Sequence, residues 1–352
     1  MAGHENRFDQ IVGTAPVDDD VGDRLGSSRD GRAIRGFRFG TGPVRVSVIA
    51  GCHADEPVGP RLLRHLAAYL ESCPDDNPLL TDFDWWIVPH INPDGEHANR
   101  HWQEQAYERF RIGTYLEHVQ RELPGDDVEF GFPRDAGDTG ARPETQCVYE
   151  WWVTNRSAFA LHVTLHGIAF AAGPWYLLEE AWIARTVSFR ERCASRTRRL
   201  GYQLHDVERN GEKGFRRIER GFCTRPDSMA MRQYFLDLGD EETAEKFRPS
   251  SMEAIRSLGG DPLTLVSEMP LFITPGVGET RGPPDTVAKA WKDRIATWRA
   301  RLGNGVGPLA IDDEAESSGL IPMPIRDQMT LQWDMIVAGL ESVTGEGGAG
   351  GP

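Results

Sequence analysis

His53 and Glu56 close the stretch Val46-Ser47-Val48-Ile49-Ala50-Gly51-Cys52-His53-Ala54-Asp55-Glu56, where an apolar, strand-like run ends at a glycine and then presents an imidazole and a carboxylate three residues apart. These are ligand types that a catalytic zinc prefers, and two of them leave a four-coordinate site incomplete. His-x-x-Glu is a common chance spacing, and for the pair alone a solvated turn glutamate is the alternative. Three later segments share the build of an apolar run ending in a polar or titratable group: Val88-Pro89-His90-Ile91-Asn92-Pro93-Asp94-Gly95, Leu161-His162-Val163-Thr164-Leu165-His166-Gly167, and Leu263-Thr264-Leu265-Val266-Ser267-Glu268. Ends of strands are where open α/β sheets gather their functional groups.

His166 is the candidate third ligand; its alternative is a hydrogen-bonded histidine at a strand end. His162 competes with it. The alternation of Phe159, Leu161, Val163 and Leu165 predicts a strand, on which His162 and His166 share a face about 13 Å apart at ~3.3 Å per residue. Both cannot then reach one ion, and His162 is read as structural.

In this order and at these intervals the segments resemble the zinc metallocarboxypeptidase family typified by carboxypeptidase A. Ala141-Arg142-Pro143-Glu144-Thr145-Gln146 is similar to that family's Ser-Glu-Pro-Glu-Thr signature, and Leu25 to Ile34 to its N-terminal hairpin, so the resemblance spans about residues 20 to 275. It implies one zinc per chain held by His53, Glu56 and His166, with a fourth position left for water. It implies Glu268 as general base, passing the water's proton to the leaving amine. It also implies an arginine that stabilises the oxyanion; Arg100 is the nearest match, with Arg109 and Arg111 as fallbacks. The sequence departs from the family where an Asn-Arg pair grips the substrate's terminal carboxylate. Here Asp127-Val128-Glu129-Phe130-Gly131-Phe132-Pro133 puts Glu129 and Phe130 in those places, and neither can form the bidentate pair. Arg134 and Arg256 are the candidate substitutes. Glu129 would instead favour an amine or guanidinium.

The elements that must carry these groups alternate. Strands are predicted within 33–51, split at Gly40-Thr41-Gly42-Pro43, and at 83–89, 159–165 and 263–267. Helices are predicted from Pro57 through Leu70 and over 144–153, 182–200, 285–302 and 325–342, with 101–140 as active-site loop. This is an α/β fold with a mixed, largely parallel central sheet flanked by helices. Residues 1–22 read as a polar lead-in, 23–280 as the catalytic domain with an insertion at 205–250, 281–344 as a C-terminal helical extension around an acidic loop, and 345–352 as a disordered tail.

The net charge of −15 over 352 residues argues against nucleic-acid or anionic-membrane partners, and no apolar run approaches the ~20 residues of a membrane span. The N-terminus lacks an apolar signal core. The five cysteines (Cys52, Cys73, Cys147, Cys193, Cys223) show no paired spacing, so reduced thiols and a cytoplasmic location are expected. The expected activity is hydrolysis of an amide in a small peptide or an acylated amino acid. Two other readings stay open: a deacylase of the succinylglutamate desuccinylase/aspartoacylase type, which Gly51–Gly59 and Leu165-His166-Gly167 also resemble, and a catalytically inactive binding protein. The oligomeric state is not encoded in any feature of the chain.

Overall fold

The computed structural model describes residues 2–135, 137–154, 158–206, 208–209, 211–278 and 286–345. Ten strands are described: β1 Asp23–Ser27, β2 Ala33–Phe39, β3 Val44–Ala50, β4 Phe83–Val88, β5 Leu161–Ala171, β6 Trp175–Leu178, β7 Arg217–Glu219, β8 Phe222–Thr224, β9 Leu263–Ile273 and β10 Ile321–Pro322. They form one mixed sheet in the order β1-β2-β4-β3-β5-β9-β6-β8-β7, with β10 on β9. The centre, β4-β3-β5-β9, is parallel. Strands buried on both faces read as continuous apolar runs, and all six residues of β4 are buried.

β5 and β9 run further than the sequence predicts. They stay paired from Leu161↔Leu263 to Ala171↔Ile273, past the point where β3 stops at Ala50. His166 and Glu268 therefore lie within long strands rather than at their ends. They are direct register partners on neighbouring parallel strands, so their side chains leave the sheet on the same face.

Three expectations need correction. The polar lead-in holds the helix Ala2–Gly13, whose Phe8 and Ile11 are buried; just past its end the Thr14 carbonyl meets His65 Nδ1 at 2.7 Å, and the i, i+3 apolar pair gives this otherwise polar segment a docking face. The acidic loop between the last two long helices contains the helix Pro308–Ser317, with Ile311 and Ala315 buried. The final helix, Ile325–Thr344, is core rather than appendage: thirteen of its residues are buried, and Gln332 Nε2 donates to the His166 carbonyl at 3.3 Å and Ser267 Oγ at 3.2 Å. Of the expected tail only Gly345 is described, and the boundary at Gly282-Pro283-Pro284 also lies outside the described residues. All five cysteines are free thiols.

Candidate metal centre and active site

His53 follows β3 through a turn that only glycine accommodates. Gly51 has φ +70°, and a Cβ there would stand 2.5 Å from the His90 ring. The turn places His53 Nδ1 2.7 Å from Glu56 Oε1; His166 Nδ1 lies 2.8 Å from Glu56 Oε2 and 3.2 Å from His53 Nδ1. Two imidazole nitrogens aimed at each other and at one buried carboxylate need a proton or a cation between them. Ligand atoms ~2.0–2.1 Å from a tetrahedral zinc stand about 3.3 Å apart; the 3.2 Å between the two imidazole nitrogens fits that ion, while the 2.7 and 2.8 Å contacts to Glu56 are hydrogen-bond lengths. Without a cation the site gathers protons instead. Burial disfavours the charged imidazoles, but Glu56 outweighs it, holding His53 up at about 9 and His166 well above its ordinary value, while the two rings hold Glu56 below its own.

Glu268 shares the hollow with His53 and His166. Burial first, and then the nearby Glu56, push its carboxyl up to about 8. His162 belongs elsewhere. Its ring nitrogens meet Ser47 Oγ at 3.0 Å and Ser251 Oγ at 3.2 Å, so neither is available to an ion.

Glu129 is placed differently from the expected substrate contact. Its Oε1 accepts from Ser251 N and Oγ at 3.2 and 2.9 Å, and its Oε2 lies 3.4 Å from His166 Nε2. A carboxylate behind a ligating imidazole fixes ring and tautomer; here it turns the Nδ1 lone pair of His166 toward His53 and Glu56. Cys52 packs at the same place, but burial pushes its thiol up to about 12, which disfavours a thiolate ligand.

None of the five predicted arginines lines this hollow; Arg109 and Arg111 line another one, with Asp312 and Glu316. Arg100 is half-exposed, pairs with Glu104 at 3.1 Å and lines a separate cavity beside His90 and Glu96. Arg134 is held by its backbone N–H to Asp138 at 3.0 Å and by its guanidinium to the Phe247 carbonyl at 3.4 Å. Arg256 lies 3.5 Å from Glu179 and donates to the Pro262 carbonyl at 3.4 Å. Helical phase explains Arg100: it sits on the helix Pro93–Gln103 one residue from Asn99, and Asn99 is the side that faces inward and is buried.

An arginine that does line the hollow is Arg121, and Asn99 positions it. Asn99 Nδ2 donates to the Gln120 carbonyl at 2.9 Å and its Oδ1 accepts from Gln120 N at 2.9 Å, fixing the chain one residue before Arg121. Arg121 pairs with buried Asp55 at 3.1 Å, and Asp55 also accepts from Tyr115 OH at 3.2 Å. Nothing near Arg121 in sequence announces it; the isolated Asn99 was the available signal. The Pro143-Glu144-Thr145 segment buttresses the opposite wall. Thr145 Oγ1 donates to the Gly131 carbonyl at 2.6 Å, and Glu144 accepts from Arg29 N at 3.0 Å and from Arg142 Nε at 3.2 Å. This clamps the loop on which Asp127, Glu129 and Phe130 border the hollow.

Residues 23–177 match the zinc carboxypeptidase family profile. The match covers less than half of the chain, and over that stretch the chain is similar to the zinc carboxypeptidase family. Two curated relatives are the inactive metallocarboxypeptidase ecm14 of Talaromyces marneffei, 29 % identical over 157 residues (36 % of this chain, 25 % of that protein), and mouse carboxypeptidase M, 30 % identical over 130 residues (35 % and 27 %). The chain thus spans about a quarter of the length of these relatives. A solved structure from Shewanella amazonensis, described as a candidate metallopeptidase, shares the fold at a TM-score of 0.50 and 12 % identity, covering 97 % of this chain and 91 % of that one. The carboxypeptidase match includes His53, Glu56, Arg121 and His166 and ends at Leu177. Glu268 lies beyond it and rests on its register with His166.

Proposed function

We propose that this carboxypeptidase-family hydrolase cleaves an amide bond in a small peptide or an acylated amino acid, with one zinc per chain held by His53, Glu56 and His166. The observation that carries the reading is the convergence of those three ligands beside Glu268. When bound, zinc would polarise the scissile carbonyl and lower the pKa of an attacking water toward about 7. Glu268 takes the water's proton and returns it to the leaving nitrogen; a carboxyl raised by burial suits both halves of that task. Arg121, buttressed by Asp55, faces the oxygen of the attacked carbonyl and stabilises its developing charge. Glu129 orients His166.

The acylated-amino-acid alternative is supported by Glu129 and Phe130. One is committed to His166 and Ser251 and the other is apolar, so neither can seat a terminal carboxylate. Intact ligands and an intact Glu268 favour catalysis over an inactive binding role. The test is metal analysis of the purified chain together with turnover of peptides and N-acyl amino acids. We expect about one zinc per chain and hydrolysis of at least one substrate class, abolished by a chelator and restored by zinc. A protein with full zinc and no turnover on either class would return the reading to a binding protein.

A further inference from the structure

The hollow in front of the candidate zinc site has a volume of about 530 Å³, and the 205–250 segment, read from sequence as an insertion, supplies much of its outer wall. Two of that wall's residues are Arg209 and Lys213. The Arg209 guanidinium lies 4.5 Å over the Phe215 ring, and Lys213 Nζ lies 4.2 Å over the Tyr234 ring. Among the described residues neither has a carboxylate within ion-pair distance. Other cations of the same segment are paired: Arg216 with Glu180 at 2.6 Å, Arg217 with Asp206 at 2.8 Å, and Arg225 with Glu179 at 2.9 Å. The remaining lining arginine, Arg121, has Asp55.

Two half-buried cations near each other are costly, because desolvation and mutual repulsion both oppose them, and the neighbouring Glu212 offsets this only in part at Lys213. Burial first, and then Arg209, pull the Lys213 ammonium below its ordinary range. Lys213 also occupies φ +58°, the only positive φ outside glycine among the described residues, a conformation that costs roughly 1 kcal/mol or more. Aromatic faces offset part of this. The same hollow is lined by the apolar Phe130, Phe215, Phe235, Met252 and Val266 and, near the imidazoles, by the carboxylates of Glu129 and Glu268.

We infer that Arg209 and Lys213 form a carboxylate seat, and that the substrate presents a carboxylate in addition to the amide to be cleaved. The inference rests on the hydrolase reading above and deepens it. The seat replaces the Asn-Arg clamp that Glu129 and Phe130 cannot provide. The carboxylate could belong to the substrate's C-terminal end or to a diacid acyl group; both offer the same chemistry to a cation pair.

Calorimetric binding to the zinc-loaded full chain tests this with three probes: N-acetylphenylalanine, N-succinylphenylalaninamide and the neutral N-acetylphenylalaninamide. We expect one charged probe to bind about tenfold or more tighter than the neutral one, in line with a charge-assisted hydrogen bond. Which charged probe gains identifies the end that carries the carboxylate. The advantage should vanish in the Arg209→Gln/Lys213→Gln variant and persist in Arg209→Lys and Lys213→Arg, with thermal melts confirming that each folds. Charged probes that bind no better than the neutral one, or not at all, overturn the inference. So does an advantage that survives the double Gln variant, since the carboxylate would then sit on zinc or Arg121. Zinc content and turnover are read separately: a charge preference without hydrolysis sinks the hydrolase reading and leaves the seat standing.

Discussion

Two hollows contain histidine, glutamate and arginine side by side, and they differ in how their charges are matched. In the cavity around Arg100, of about 280 Å³, opposite charges are matched: Arg32 with Asp94 at 2.7 Å, Arg64 with Asp19 at 2.8 Å and Glu96 at 2.9 Å. Its His90 is buried, drawn toward the neutral form by that burial, and its Nδ1 accepts from Asn92 N at 3.1 Å. In the hollow around His53 the pairing is uneven. Two imidazoles converge on Glu56, Glu268 is raised by burial and by Glu56, and among the described residues Arg209 and Lys213 have no carboxylate within ion-pair distance. Matched charges hold a fold in place, whereas unmatched charges are free to bind an ion, move a proton or seat an anion. The two are linked, since the ring of His90 packs against Gly51 in the turn that delivers His53.

The largest effects should come from the convergent imidazoles. His53→Ala or His166→Ala should lose both zinc and detectable turnover, because two remaining ligands rarely hold a catalytic metal. Elemental analysis of each purified variant decides it; full occupancy in either would remove that residue from the ligand set. His90→Ala should keep its zinc, though it will cost stability as a buried ring lost from the core.

Glu268→Gln should keep zinc and lower kcat by roughly 10²- to 10⁴-fold, since the amide is nearly isosteric but cannot accept the proton. Loss of metal in this variant would make Glu268 a ligand instead.

The arginines sharpen the contrast further. Arg121→Met should lower kcat/KM by about 10²- to 10³-fold, the range for losing one oxyanion donor. Arg100→Met removes only a half-exposed pair with Glu104, and such pairs are worth about 0–1 kcal/mol, so its kinetics should stay within about twofold. A reversal of these two results would return the oxyanion role to Arg100.

What was legible in the sequence follows the same division. The parallel core announces itself through continuous apolar runs, and His53, Glu56, His166 and Glu268 are each attached to such a run at a fixed offset. The walls are set by contacts remote in sequence. Arg121 depends on Asn99 through the Gln120 backbone, twenty-one residues after Asn99. Glu129 is fixed in the wall of the hollow because Ser251, 122 residues later, donates to its Oε1, while its Oε2 lies 3.4 Å from His166 Nε2. No local pattern carries such information. The helix Ala2–Gly13 was missed for a different reason: two buried apolar residues, Phe8 and Ile11, suffice to dock it, and a polar composition masks them.

The smallest expected effect compares two histidines on one strand. His166 faces Glu56, whereas His162, four residues earlier, sits between Ser47 and Ser251, and burial lowers it from 6.5 to about 3. A base whose folded pKa lies below its unfolded value leaves the unfolded chain holding the extra proton between the two. Stability therefore rises with pH across that window, and is lost as pH falls from about 6.5 toward 3, by up to about 1.4 kcal/mol per pH unit. His162→Gln removes that proton from the unfolded side. Between pH 6 and 5 the variant should lose less stability than the wild type, by roughly 1 kcal/mol in denaturant titrations, and the wild-type His162 ring resonance should keep its neutral shift to below pH 5. A His162 resonance that titrates near 6.5 in the folded protein would mean that the serine hydroxyls and the core do not exclude its charge, and the distinction drawn between the two rings would fail.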